Sequence, residues 1–336
     1  MVKTGIGTFV AFGEETTWGT AVATPNYLDS RPGMESLEAT TTQTVVNDIS
    51  EIGSDKDNVL KGPKTVAGNV TMDLRFNGTG WPMFLSHLCG KDVATTGSGP
   101  YVHTITVGAD KDITAKGITI HANREGVNAA GASQAYQYIG MRPTKGTLSF
   151  PGEGVATASF DCVGKDQDFT SLGTYTATTF PFIKLPSDDS TATTFMTYNS
   201  VAYKVKSFEL SIEQPVEERR QIEDSTNIVP ADGGPMVVTG SFDVEVPDTT
   251  STGGGAFNDD HHAQAFREIV VTVDGPTKAN NSLAITLGKC LVTNTAEAHV
   301  GSAGLQTVTV NFRAFRDGST KEAVFALTNA SATAWD

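Results

Sequence analysis

The densest grouping of residue types able to hold a metal is Asp259-Asp260-His261-His262. Successive residues of a helix point about 100° apart, so four in a row do not converge on one ion. A metal there would need a distant ligand such as His299. The acidic pair reads instead as a helix N-terminus, where the dipole favours negative charge. Nucleophilic catalysis has no footing: there is no G-x-S-x-G elbow, and His87, His103, His121 and His299 stand in no motif. Gly253-Gly254-Gly255 has no Lys-Ser/Thr nearby and reads as a flexible turn rather than a phosphate cradle. Cys89, Cys162 and Cys290 form no C-x-x-C pair and read as free core thiols. The carboxylates are scattered, which leaves sugar cleavage by an acid–base pair as a minor alternative. No catalytic, cofactor-binding or metal residue is assigned, and the chain is expected not to be an enzyme.

A sharper signal comes from two long charged stretches. Residues 47–64 carry Asp48, Glu51, Asp55, Lys56, Asp57 and Lys61. Residues 213–234 carry Glu217, Glu218, Arg219, Arg220, Glu223 and Asp224. Both exceed a tight hairpin connection and are expected to be long loops. They fall at the same place in two halves of the chain and mix both signs of charge. Such loops suit contact with an adjacent subunit, where mixed charges fix register and orientation.

The halves are recognisable because the chain repeats itself. Ser36-Leu37-Glu38 recurs as Ser207-Phe208-Glu209, at an offset of 171. Gly62-Pro63 with Val66-Ala67-Gly68-Asn69-Val70 recurs as Gly234-Pro235 with Val238-Thr239-Gly240-Ser241-Phe242, at 172. Gly154-Val155-Ala156-Thr157 and Gly304-Leu305-Gln306-Thr307 open late strands at 150. The drop implies extra residues in the first half, expected within 123–137, and the second half has its own insertion at 249–255. The chain of 336 residues therefore reads as two domains, 1–166 and 180–336, joined by a linker at 167–179.

Each domain reads as strand, long charged loop, strand, short helix, then further strands. Abundant Thr, Ser and Val between 34 glycines favour strands over helices. Residues 66–76 alternate apolar and polar as a half-buried strand does. A helix is expected from Trp81 to Leu88, with Pro82 in its first turn and Gly90 as its stop. A second is expected near 259–268. Other strands are expected at 8–13, 34–42, 180–185, 283–287, 289–296 and 305–315.

The net charge of −14, from 24 basic and 38 acidic residues, argues against holding nucleic acid by its phosphates. No export signal or membrane-spanning run is expected.

At this point the sequence resembles the tail tube proteins of long-tailed bacteriophages, in a two-domain branch. The resemblance rests on Gly13-Glu14-Glu15-Thr16-Thr17-Trp18-Gly19-Thr20-Ala21, on Ser36-Leu37-Glu38 and on Ala67-Gly68-Asn69-Val70. The helix from Trp81, the ending from Leu305 to Phe315, and Phe325-Ala326-Leu327-Thr328-Asn329 complete it. No single motif is diagnostic; their order is. The resemblance implies a mainly β fold of two tandem β-sandwich or barrel domains, each with one flanking helix. It implies a virion structural protein, assembled in the host cytoplasm, whose rings stack into a tube through which viral DNA leaves the capsid. With two tube domains per chain, a homotrimer would complete a pseudo-hexameric ring, and loops 47–64 and 213–234 would reach the next ring. Implied partners are further copies of the chain and the tape measure, tail terminator and baseplate proteins. DNA would transit an acidic lumen without specific binding, and no cofactor or membrane is implied. The competing reading is an exported carbohydrate-binding or adhesive tandem β-sandwich, which would need an export signal and an aromatic platform.

Overall fold

Alternating apolar and hydroxylic residues build long strands here, and two of those strands are shared between sheet layers. The computed structural model describes residues 9–23, 25, 27–29, 34–49, 55–76, 80–90, 92–94, 98–108, 116–127, 133–171, 175, 180–185, 194–219, 228–245, 254–277, 279–294, 307–316, 318 and 321–332. The first half opens with β1 (Phe9–Glu14), β2 (Tyr27–Asp29), β3 (Glu38–Ile49) and β4 (Asp55–Asp73). Helix α1 (Trp81–Cys89), β5 (Asp92–Ala94), β6 (Tyr101–Thr106) and β7 (Ile118–Val127) follow. It closes with β8 (Ser133–Phe150), β9 (Gly154–Val155), β10 (Thr157–Gly164) and β11 (Asp166–Ser171). The second half runs through β12 (Lys184–Leu185), β13 (Met196–Tyr198), β14 (Val201–Tyr203) and β15 (Val205–Glu213). Next come β16 (Val216–Arg219), β17 (Ile228–Asp232), β18 (Val237–Glu245) and α2 (Gly254–Ala263). Last are β19 (Phe266–Asp274), β20 (Ser282–Val292), β21 (Thr307–Ala314) and β22 (Val324–Asn329).

One antiparallel layer crosses both halves in the order β3-β4-β10-β8-β15-β18-β21-β20. A second layer covers each half: β2-β1-β7-β8-β11 in the first and β14-β13-β19-β20-β22-β6-β5 in the second. Strands β8 and β20 each bend from one layer into the other. Among the described residues the chain is thus mainly β with two short helices, as expected.

The pairing registers test the repeat residue by residue. Thr157 lies opposite Asp73 and Thr307 opposite Glu245, so the offsets of 150 and 172 hold in the sheet itself. Ile120 lies opposite Tyr138 as Ile269 lies opposite Leu287, an offset of 149 on both strands. The match of Ser36-Leu37-Glu38 with Ser207-Phe208-Glu209 is displaced by two residues. Leu37 sits against Gly68, and the residue against Gly240 is Leu210, not Phe208. A shift of two keeps every side chain on its own face, which is why the alternation concealed it. The two glycines admit close neighbours: a Cβ on Gly68 would lie 2.7 Å from Leu37 Cα, and one on Gly240 2.4 Å from Phe312 Cζ.

Several boundaries differ from the sequence expectation. The extra residues of the first half are not at 123–137. They form the β5–β6 hairpin between α1 and β7, where α2 passes to β19 through only Gln264 and Ala265. Helix α2 begins earlier than expected and stops at Ala263, since Gln264 takes a φ of 51°. The expected strands 283–287 and 289–296 are one strand, β20, and only Lys184–Leu185 of 180–185 is strand. The first strand of the repeat is Glu38–Ile49 rather than 34–42, and the stretch expected as linker starts as β11. Of the insertion expected at 249–255, Gly254 and Gly255 begin α2 and the rest lies outside the described residues.

Equivalent aromatic contacts seat the two helices. In the first half the Phe12 and Phe84 rings meet edge-on at 5.1 Å, and Phe84 stacks on Phe160 at 5.2 Å. In the second, Tyr198 and Phe257 meet edge-on at 4.9 Å, with Phe242 at 5.5 Å. Burying each such ring contributes about 1.5–3 kcal/mol. All three cysteines are buried and free, and burial pushes the Cys290 thiol up to about 12.

The turn after β1 hangs on one buried carboxylate. Glu15 accepts from the backbone N–H of Gly140 at 2.7 Å and of Gly19 at 2.6 Å, and from the Thr119 hydroxyl at 2.8 Å. Burial pushes its carboxyl above the ordinary 4.5, against the pull of those donors. Glu15→Ala is expected to cost about 3 kcal/mol, since buried donors lose their acceptor. The folded carboxyl holds its proton to higher pH than the unfolded one, so its stabilisation is full below pH 4.5 and declines as pH rises through the folded value. Denaturant melts should show the gap between parent and variant narrowing as pH rises. A gap that widens would contradict this.

Candidate assembly and channel surface

Among the described residues, both long charged stretches run as paired antiparallel strands rather than open loops. In the first, β3 pairs with β4 from Glu38–Ala67 outward to Ile49–Asp55. Asp48 lies opposite Lys56, Asp57 opposite Asn47, and Lys61 opposite Gln43. Beyond Thr65, β4 pairs with no strand but β3 among the described residues. The outer arm, from Gln43–Lys61 to Ile49–Asp55, is about 20 Å long. Glu51 lies outside the described residues. In the second hairpin, β16 pairs with β17, with Glu217 opposite Ala231 and Arg219 opposite Ile228. Glu217, Glu218 and Arg219 are exposed. Arg220, Glu223 and Asp224 lie outside the described residues.

Each hairpin is anchored at its base. Lys64 Nζ donates to Asp166 Oδ1 and to the Gln167 carbonyl, both at 2.5 Å, which ties the first to β11. The second is gripped by β8 of the other half. Arg142 donates to the Pro230 carbonyl at 2.7 Å and pairs with Asp232. Gln214 donates its backbone N–H to the Thr144 carbonyl at 2.8 Å and its side-chain amide to the Gly234 carbonyl at 2.9 Å.

The layer that crosses both halves has two unlike faces. Val70, Met72, Phe160, Leu148, Phe208, Leu210, Phe242, Val310 and their neighbours are buried on one. The other carries residues in register across the strands: Asn69, Thr71, Thr157, Ser159, Thr147, Ser149, Ser207, Ser211, Thr239, Ser241, Thr307 and Thr309. Among them stand seven carboxylates: Glu38, Asp73, Asp161, Glu209, Glu213, Asp243 and Glu245. The cations that accompany them among the described residues include Lys145, Arg313, Lys206 beside Glu245 at 3.6 Å, and Arg142, which lies opposite Val163 and pairs with Asp232. Among these residues the acids outnumber the bases.

Hydroxyls and amides orient these acids without neutralising them. Asp161 accepts from Asn69 Nδ2 at 2.8 Å. Asp243 accepts from Ser207 Oγ at 2.7 Å and Thr309 Oγ1 at 2.5 Å. None of the seven was singled out from the sequence. The available signal was the alternation Ser207, Glu209, Ser211, Glu213, which in an isolated strand names an exposed face but not what it faces.

The dense cluster at the second helix turns to separate partners. Asp260 takes a forked pair from Arg267, at 2.7 and 3.0 Å, and a bond from the Tyr198 hydroxyl at 2.9 Å. These three residues line an open pocket of about 290 Å³. A ring nitrogen of His261 meets the Val292 carbonyl at 3.0 Å. His299 lies outside the described residues. Among the described residues, no helix is long and apolar enough to cross a membrane.

Compared with known proteins, the chain matches the family model of the phage tail tube protein over residues 5–314. No curated protein matches it. The match takes in the layer shared by both halves, both hairpins and both helices, and on that ground the chain belongs to the phage tail tube protein family.

Proposed function

We propose that three copies of this chain close into a ring of six similar halves, and that rings stack to form the tail tube. The observation that carries this reading is the joint between the halves. Strand β8 lies along β15, with Phe150 opposite Phe208, Leu148 opposite Leu210 and Lys145 opposite Glu213. One chain thus already contains the edge-to-edge union that a ring needs. Strand β20 is the counterpart of β8 and β3 the counterpart of β15, and on this reading a like union between copies closes the layer into a barrel. Eight strands per chain and three chains give 24 strands. At ~4.8 Å spacing and ~40° tilt, such a barrel is about 50 Å across at the backbone, roomy enough for duplex DNA.

On this reading the hydroxylic, acidic face lines the channel. Carboxylates repel phosphates, and screening confines that repulsion to ~8 Å, so it acts on DNA near the wall. The scarcity of cations avoids the salt-dependent hold that basic contacts create. The two hairpins, with charges of both signs, reach the adjacent ring. Tape measure, tail terminator and baseplate proteins meet the tube at its core and ends, and the host cytoplasm is where it assembles. Unequal insertions make the sixfold approximate and the threefold true.

Electron micrographs of the purified protein are expected to show rings or hollow tubes about three chains in circumference. Persistent monomers at high concentration would refute the reading. Replacing residues 44–60 by Asn-Gly leaves a two-residue hairpin turn between Gln43 and Lys61. That variant should fold and form rings but not stack; normal tubes would remove the hairpin's role. Changing Glu209, Glu213 and Asp243 together to Lys should leave tubes intact while slowing DNA ejection from phage that carry them. Unchanged ejection would place the channel wall elsewhere.

A further inference from the structure

Inside the chain, the second hairpin is seated by an ion pair from the other half. Arg142 of β8, only 4% exposed, donates to the Pro230 carbonyl at 2.7 Å and pairs with Asp232. The repeat identifies the counterpart of each member. Arg142 lies opposite Val163 and Leu291 opposite Arg313; Val163 and Arg313 are 150 apart, the offset of Thr157 and Thr307. Leu291 therefore holds the place of Arg142. Asp232 stands two residues before Gly234-Pro235, and Leu60 two residues before Gly62-Pro63. Each member of the ion pair thus has a leucine as its counterpart.

Leu291 stands in an exposed apolar patch. Phe266 lies opposite it on β19, and directly opposed residues share a face. The Phe266 ring is 45% exposed and meets the Phe315 ring edge-on at 5.6 Å. Lys289 lies over the first ring at 4.6 Å and Arg313 over the second at 5.1 Å, so cations rim the patch. In the first half the place of Phe266 belongs to Gly117, since Ile118 lies opposite Met141 as Arg267 lies opposite Cys290. There the turn after β1 covers the sheet: a Cβ on Gly117 would lie 3.0 Å from Trp18 Cδ1. In the second half the chain instead reverses at Asn199 and Ser200, with φ of 50° and 64°, straight from β13 into β14. The base of the first hairpin matches this patch in residue type. Leu60 lies opposite Thr44 and Val59 opposite Val45, whereas Asp48 and Lys56 stand farther out. The second hairpin has Asp232 opposite Val216 and Glu217 opposite Ala231 at its base.

We propose that Phe266 and Leu291 of one copy seat the first hairpin of the next copy at Leu60, as Arg142 seats the second hairpin at Asp232 within the chain. This rests on the ring reading above, which brings β20 of one copy beside β3 and β4 of another. The occupant is a second copy of this chain. Each pair suits its setting. Surfaces that meet between copies must first lose water, and apolar groups gain by that loss where charges lose. Each seat also rejects the other's hairpin, since Arg142 against Leu60, or Asp232 against Leu291, leaves a charge unpaired. The exchange of both members thereby makes first and second halves alternate around the ring. Held at its base, the first hairpin points its charged outer part at the adjacent ring, so the seat governs stacking.

The test exchanges the two chemistries and follows rings and tubes against concentration by electron microscopy, with thermal melts to confirm folding. Leu291→Arg and Leu60→Asp should each still form rings but raise the concentration needed for tubes by roughly tenfold, the loss of one buried leucine contact. The double variant should return close to the parent threshold, because it rebuilds between copies the pair that Arg142 and Asp232 make within one. Phe266→Asp alters an exposed ring, should act as the single variants do, and stands in for Leu291→Arg if that chain melts early. Folded Leu291→Arg or Phe266→Asp chains that form tubes at the parent threshold would overturn the seat while leaving the ring reading standing. Impaired single variants with a double variant no better would also overturn it, since Leu60 and Leu291 would then act apart. A parent that forms no rings would remove the ring reading and the seat with it.

Discussion

The backbone at the edge of a β-sheet carries donors and acceptors that must find partners, and this requirement organises the whole molecule. Between the halves it is met by β8 lying along β15, so neither half is a closed sandwich by itself. The bend in β8 lets one strand serve the covering layer of its own half and then the shared layer. Its last residues, Leu148 and Phe150, are core for both halves. A sheet built this way has an unequal pair of ends, β3 at one and β20 at the other.

The strict two-residue period of the shared layer then separates tasks without separate domains for them. One face supplies the aromatic and aliphatic core against α1 and α2; the other supplies hydroxyls and carboxylates at matched heights across seven strands. Cross-strand hydrogen bonds such as Ser207–Asp243–Thr309 hold the acids in place with donors that carry no charge. Rigidity and negative potential therefore come together. A salt bridge at Asp243 would have given the first and removed the second.

Much of this was legible in the sequence, and the failures have physical causes. The repeat around Gly68 and Gly240 was readable because a close backbone approach tolerates no side chain there, so residue type and register are tied. The match at Ser36 slipped by two because hydroxylic and acidic residues recur at every second position of an exposed face. The charged stretches read as loops because their residues carry no sustained apolar alternation to betray a strand. Asp48 opposite Lys56 is strand pairing written in charges alone. The extra residues were misplaced since the sequence repeat fell silent between the helices and the late strands, and β5–β6 has no counterpart to align with. The carboxylates of the hydroxylic face were visible as polar positions, but their common outlook depends on seven strands lying side by side.

The two halves meet the same edge requirement by different means. The joint β8–β15 forms within one chain, where the partner strand is always close at hand and loop closure costs little beyond the backbone ordering of folding itself. At the outer edge of β3 the Leu37 carbonyl is held by Arg124 and the Tyr138 hydroxyl, and its N–H by Glu35. Side chains there stand where the equivalent Leu210 has Leu148 of a neighbouring strand opposite it. One requirement is thus met by a strand in one half and by an arginine, a tyrosine and a glutamate in the other.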